Sequence, residues 1–192
     1  MTIKESIDLM REDCWDNAVH CFGTAYIFEK RAEMLKKRLT RINFLGVVVP
    51  ITVGAIVISF GINFEYVGFV IAIAGILGIG QLISSIWSLA AKWDDSYAYA
   101  LESTSSNYSL SNKFQSLGKN PPQEISGLKL QYELLITENQ SRSQSDYKQN
   151  ISDMEKRMGL RASLRNFERE CNGCRRIPKS MEASDCDVCG NF

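Results

Sequence analysis

The sequence predicts an all-α membrane protein, with a two-helix transmembrane hairpin, long cytosolic helices and a small C-terminal zinc knuckle or ribbon. From Ile42 to Ala91 the only charged residue is Glu65, and each side of it is an apolar run of the ~20 residues that a membrane helix needs. The flanking sequence is polar and keeps a helical spacing of apolar residues. We divide the chain into residues 1–42, 43–91, 92–160 and 161–192, with spans at 43–61 and 66–91.

The N-terminal segment is expected to be one long cytosolic helix. Thr2 and Glu5 match a capping box. Small or apolar residues recur every three or four positions over residues 3–42, which resembles a coiled-coil seam. This stripe fits either packing on the rest of the same chain or pairing between subunits. Cys14 and Cys21 lie on it, and we interpret them as small buried residues in preference to a metal or redox role.

The apolar region is predicted to be a hairpin of antiparallel spans. Residues 61–65 offer turn chemistry too short for a domain, and Pro50 in the first span is tolerated in membrane helices. The second span carries small residues that let helices approach closely. We assign helix packing to four of them: Gly68, Ala72, Ala74 and Gly78.

A polar stripe crosses the second span. It consists of Gln81, Ser84, Ser85 and Ser88, which share one helical face in an otherwise apolar segment. Two interpretations stay open: these residues line a pore, or they form hydrogen bonds between helices.

Basic residues set the expected orientation. Six of them lie between Lys30 and Arg41, Lys92 follows the second span, and the turn has none. The positive-inside rule therefore predicts a multi-pass protein of the inner or cell membrane with both termini in the cytoplasm.

Residues 92–160 are expected to form further cytosolic helices. The first should end near Leu117, because Gly118 and two prolines follow. Apolar spacing indicates more helix up to Met158, although the polar stretch 138–146 suggests a break.

Two Cys-x2-Cys pairs, eleven residues apart, mark the C-terminal tail. They are Cys171, Cys174, Cys186 and Cys189. This pattern is typical of a zinc site, and four thiolates fill the tetrahedron, so we predict structural zinc as the cofactor. Two disulfides are the alternative, which a cytosolic location disfavours.

A row of arginines precedes this tail. Arg161, Arg165 and Arg169 are four residues apart, and nearby acidic residues offset them. We interpret the row as a solvated face in preference to a nucleic-acid or phosphate surface. No catalytic motif is present and His20 is the only histidine, so we do not expect an enzyme.

The long basic N-terminal helix, the minimal hairpin and the helical tail resemble the SLATT families, over roughly Thr2 to Gly159. The similarity rests on this architecture and on stretches such as Tyr26 to Lys37. It implies a non-enzymatic membrane effector of a bacterial antiphage or conflict system, which oligomerises and permeabilises the membrane on a partner or nucleotide signal. The implied partners are the lipid bilayer, further copies of the chain, and a nucleotide-second-messenger synthetase or sensor. The four-cysteine tail departs from a minimal SLATT hairpin.

A membrane-anchored adaptor is the alternative function. In it, the hairpin only tethers a zinc-ribbon tail that binds a cytosolic protein or, less expectedly, nucleic acid.

Overall fold

A computed structural model describes residues 3–60, 66–122 and 124–192. It contains five helices: α1 (Ile3–Phe60), α2 (Val67–Ala90), α3 (Trp93–Lys119), α4 (Ile125–Tyr147) and α5 (Asp153–Asn166). No strand occurs among these residues, so the predicted all-helical class is confirmed. The predicted turn at 61–65 and Thr2 of the predicted capping box lie outside the described residues.

The chain divides into two compact units. The helical unit combines Met1–Lys30 with Ala100–Phe192, and the hairpin unit is Arg31–Tyr99. The helical unit contains the four cysteines of the tail, and the hairpin unit contains both apolar runs. The predicted boundaries at 42/43, 91/92 and 160/161 are therefore not the boundaries of compact units.

The core of the helical unit is built on the α1 stripe. Its buried side chains come from α1, α3 and α4: Cys14, Ala18, Cys21, Leu110, Phe114, Leu117 and Leu128. In this part of α1 the stripe packs on the same chain, which is the first of the two interpretations. Burial raises the pKa of the Cys14 thiol to about 11 and that of Cys21 to about 12. Both cysteines are therefore neutral core residues, as expected.

Helix α4 runs through the polar stretch where the sequence suggested a break. Asp146 is buried there, and its carboxylate accepts hydrogen bonds from Ser103 Oγ and Asn107 Nδ2, both at 2.8 Å. Arg142 adds an ion pair to the same carboxylate at 2.8 Å. These polar side chains join α4 to α3, so their polarity marks a buried network and not a loop. The break falls instead after Tyr147.

Helix α5 crosses α1 at two glycines. A Cβ on Gly159 would lie 2.6 Å from the carbonyl oxygen of Gly23, and a Cβ on Gly23 would lie 3.0 Å from that of Gly159. Only residues without a side chain allow the two backbones to approach so closely. A capping box of Ser152 and Glu155 fixes the start of α5.

The hairpin unit exposes its apolar surface. Its two helices are long and apolar enough to span a membrane. In the most apolar stretch of each helix, the share of residues buried within the chain is 0 % for the first and 6 % for the second. Ile58 is 86 % exposed and Leu89 74 %. Both helices therefore lack the cover that a core helix of a soluble protein has. Pro50 lies inside α1, which continues past it to Phe60.

Candidate metal centre

The two cysteine pairs of the tail come together at one point. All four Sγ atoms lie within 4.8 Å of one another. Cys171 and Cys186 are 3.9 Å apart between sulfurs, and so are Cys174 and Cys189. The four cysteines are thus positioned to bind one metal ion.

Each pair is held by the same turn. The amide of Arg175 donates to the carbonyl of Cys171 at 2.8 Å, and the amide of Gly190 donates to that of Cys186 at 2.8 Å. In the first turn the amide of Gly173 also donates to Cys171 Sγ, at 3.4 Å. The two knuckles are therefore two copies of one local structure, which explains why Cys-x2-Cys recurs in the sequence.

Glycines are required here because the knuckles pack tightly. A Cβ on Gly173 would lie 2.7 Å from Val188 Cγ2 in the opposite knuckle. A Cβ on Gly190 would overlap the carbonyl oxygen of Ser184. Both positions therefore need a residue without a side chain, because a neighbouring segment approaches the backbone closely.

The cysteines differ in their electrostatic surroundings. Backbone amides of Cys189 and Val188 lower the pKa of Cys186 to about 6, because their N–H groups stabilise the thiolate. Burial raises the pKa of Cys189 to about 12. A cysteine binds a metal as its thiolate, and burial keeps the Cys189 thiol protonated. Metal binding must therefore release the proton of Cys189.

The metal centre is packed against α5. Cys171 and Cys189 are 0 % and 1 % exposed and form one buried cluster with Leu164, which Leu160 adjoins. The tail's large apolar residues contribute less, since Ile177 is 43 % exposed and Val188 40 %. The sulfurs themselves are therefore part of the core that joins the tail to α5.

Arg161 ties the tail to α5. Its guanidinium donates to the carbonyl of Ser180 at 2.8 Å, to Ser184 Oγ at 3.0 Å and to the carbonyl of Cys189 at 3.3 Å. Arg161 is only 8 % exposed, so the interpretation of this arginine as part of a solvated face was wrong. Its neighbours on the row differ, because Arg165 is exposed and Arg169 forms an ion pair with Asp16.

The sequence contains one signal for the burial of Arg161. Leu164 lies three residues after Arg161 and is its neighbour on the helix surface, so the arginine side chain starts beside an apolar residue. The charge of Arg161 suggested a solvent-exposed side chain, because its carbonyl partners lie 19 and 28 residues away, in a tail without regular structure.

The polar stripe of α2 points mainly into the hairpin unit. Gln81 approaches α1, since a Cβ on Gly46 would lie 2.5 Å from its Nε2. Ser85 is half-buried and Ser88 is 6 % exposed. Ser84 is exposed and donates to the carbonyl of Gly80 in its own helix at 2.8 Å.

The four small residues assigned to helix packing are mostly not covered by other parts of the chain. A Cβ on Gly68 or Gly78 would meet no atom within 4 Å. Ala72 is exposed and Ala74 half-buried. The chain itself thus leaves most of this surface uncovered.

Comparison with known proteins gives one family. The family model described as Mobilome CxxCx(11)CxxC protein matches residues 11–192, including both cysteine pairs and the eleven residues between them. No curated protein and no solved structure matches the chain significantly.

Proposed function

The chain belongs to the Mobilome CxxCx(11)CxxC protein family, and from that premise we propose that it is a non-enzymatic, membrane-anchored adaptor of a mobile genetic element. Its two spans tether the helical unit, and the four-cysteine tail stabilises a binding surface for a cytosolic protein. The observation that carries this proposal is the four-sulfur cluster packed into the helical unit through Arg161.

We infer that the bound metal is structural zinc. Four thiolates at ~2.3 Å from a tetrahedral ion are ~3.8 Å apart, close to the 3.9 Å separations of the two sulfur pairs. These separations are far from the ~2.05 Å of a disulfide bond. Four thiolates leave no position for a substrate or a reactive water, which supports a structural role and a non-enzymatic protein.

Insertion of the hairpin in the inner or cell membrane is the second part of the proposal. The support is the uncovered apolar surface of both helices, because soluble monomers rarely expose large contiguous apolar patches. The basic residues before the first span favour cytoplasmic termini.

The polar stripe of α2 favours a tether over a pore. Gln81, Ser85 and Ser88 are directed into the hairpin unit, where they can satisfy polar groups between the two spans. A pore lining needs polar groups on an outer face, and among these four only Ser84 is exposed.

A membrane-permeabilising effector remains the second candidate. The observation that favours it is the open surface at Gly68 and Gly78, which suits contact with another copy of the hairpin. The resemblance to SLATT proteins adds a nucleotide-second-messenger synthetase or sensor as the proposed partner of that effector.

Expression of the full chain with neighbouring genes of the same element tests both candidates. The adaptor predicts a protein that resists alkaline extraction from membranes, carries about one zinc per chain and leaves the membrane potential intact. It should bind a protein encoded by the element, and the Cys174→Ser variant should lose that partner while staying in the membrane. Collapse of the membrane potential in the presence of that partner would overturn the adaptor in favour of the effector.

A further inference from the structure

Part of the hairpin unit carries a row of exposed cations just before the first apolar run. Lys36, Lys37 and Arg41 are exposed, and with Glu33 and Thr40 they line a shallow groove of about 420 Å³ on α1. The helical spacing of three and four residues places all five on one face. Ile42, which follows Arg41, begins the uncharged run.

The charge of this groove is not neutralised within the chain. Among residues 3–60, 66–122 and 124–192, no salt bridge involves Lys36, Lys37 or Arg41. Glu33 is the one acidic residue in the lining. Neighbouring like charges on a helix repel one another, so this face favours an external anion.

The groove has an apolar part as well. Its walls are mainly the aliphatic stems of the lysine and arginine side chains, whose charged ends remain in water. On another face of the same segment, the guanidinium of Arg38 lies 5.4 Å from the ring centre of Trp93, at the start of α3. Tryptophan is enriched at the headgroup level of membranes, so this contact fits a segment at the membrane surface.

We propose that the groove of Lys36, Lys37 and Arg41 binds the headgroup of an anionic phospholipid. The three cations contact the phosphate and the negative headgroup, the aliphatic stems cover the glycerol region, and the acyl chains follow the apolar surface of α1 beyond Ile42. A zwitterionic lipid offers no net charge, so the groove selects against it. This inference rests on the proposed insertion of the hairpin in a membrane.

Native mass spectrometry of the full chain in a non-ionic detergent tests the site. The probes are phosphatidylglycerol and phosphatidylcholine with identical acyl chains. Each cation near an anionic lipid contributes about a fivefold gain in affinity at low ionic strength. The triple variant Lys36→Gln, Lys37→Gln, Arg41→Gln should therefore bind phosphatidylglycerol on the order of 100-fold more weakly, with phosphatidylcholine binding unchanged.

The helical unit provides a control with the same change in net charge. The triple variant Lys129→Gln, Lys148→Gln, Lys156→Gln removes three exposed cations outside the four-cysteine tail and should keep the affinity for phosphatidylglycerol. An equal loss in both triple variants would overturn the proposal, because binding would then follow net charge alone. Displacement of the lipid by millimolar inorganic phosphate would also overturn it, since the groove would then be a simple phosphate site.

Alkaline extraction separates this inference from the proposed function. A chain that stays in the membrane pellet but shows no preference for phosphatidylglycerol refutes the lipid site alone. A chain released by alkali refutes the membrane anchor and the lipid site together.

Discussion

Replacing Arg161 with glutamine removes the clearest connection between the tail and the helices. The buried guanidinium makes three hydrogen bonds to the tail, and glutamine can retain at most one of them. Hydrogen bonds from a charged group contribute roughly 1.5–3 kcal/mol each, so the loss of two weakens the docked tail by at least about 3 kcal/mol. Because the metal requires the ordered tail, this cost should appear as an affinity for zinc lower by about 100-fold.

Competition with a chromogenic chelator measures that affinity in the full chain. Arg165→Gln is the matched control, because Arg165 lies one turn further along α5 and is exposed. The Arg161→Lys variant separates the effect of charge from that of geometry, because an ammonium group cannot reproduce the planar set of donors of the guanidinium. Its zinc affinity should lie between those of Arg161→Gln and Arg165→Gln. Zinc affinities of Arg161→Gln and the control that agree within twofold would refute the coupling.

The remaining predictions concern the helical unit. Gly159→Ala should destabilise it by about 1–3 kcal/mol in chemical denaturation, because the new methyl group meets the carbonyl of Gly23; unchanged stability would contradict the tight crossing. Asp146→Asn should cost about 3 kcal/mol in the same assay, because it removes the buried carboxylate that pairs with Arg142 and accepts hydrogen bonds from Ser103 and Asn107. The exposed Asp153→Asn removes only a surface pair with Lys156 and should cost less than about 1 kcal/mol. The two buried cysteines of α1 should resist iodoacetamide at pH 8, because their raised pKa values leave at most about 0.1 % thiolate. Mass spectrometry should then count no more than four alkylated cysteines after chelation and six only after denaturation.

Local patterns predicted the parts of this protein that depend on local chemistry. Apolar spacing located α1, and the two uncharged runs located the two apolar helical stretches that are long enough to span a membrane. The cysteine spacing located the metal centre, because each pair needs only one turn to bring its two sulfurs together. The end of α3 at Lys119 is close to the predicted Leu117, where glycine and proline stop the helix.

Contacts between distant segments escaped prediction. The continuity of α4 depends on partners in α3 for Asp146, and without them a polar stretch looks like a loop. The docking of α5 depends on Gly23 in α1. From the sequence alone, this glycine only lowers the helix propensity of its segment. Such features depend on the tertiary neighbours of a residue, which no single window of the sequence contains.

The packing of the sulfurs implies that metal binding stabilises more than the tail. Cys171 and Cys189 share a buried cluster with Leu164, and the buried Arg161 donates its hydrogen bonds to the tail. A metal bound by the four cysteines would therefore stabilise the contacts of the tail with α5, including the hydrogen bonds of the guanidinium. A ligand at 1,000 times its dissociation constant adds about 4 kcal/mol to the stability of the state that binds it. Since α5 in turn packs on α1 through Gly159, that contribution reaches the core of the helical unit. Truncation after Asn166 would damage the helices as well as remove the tail, so point variants such as Cys174→Ser test the role of the metal centre more cleanly.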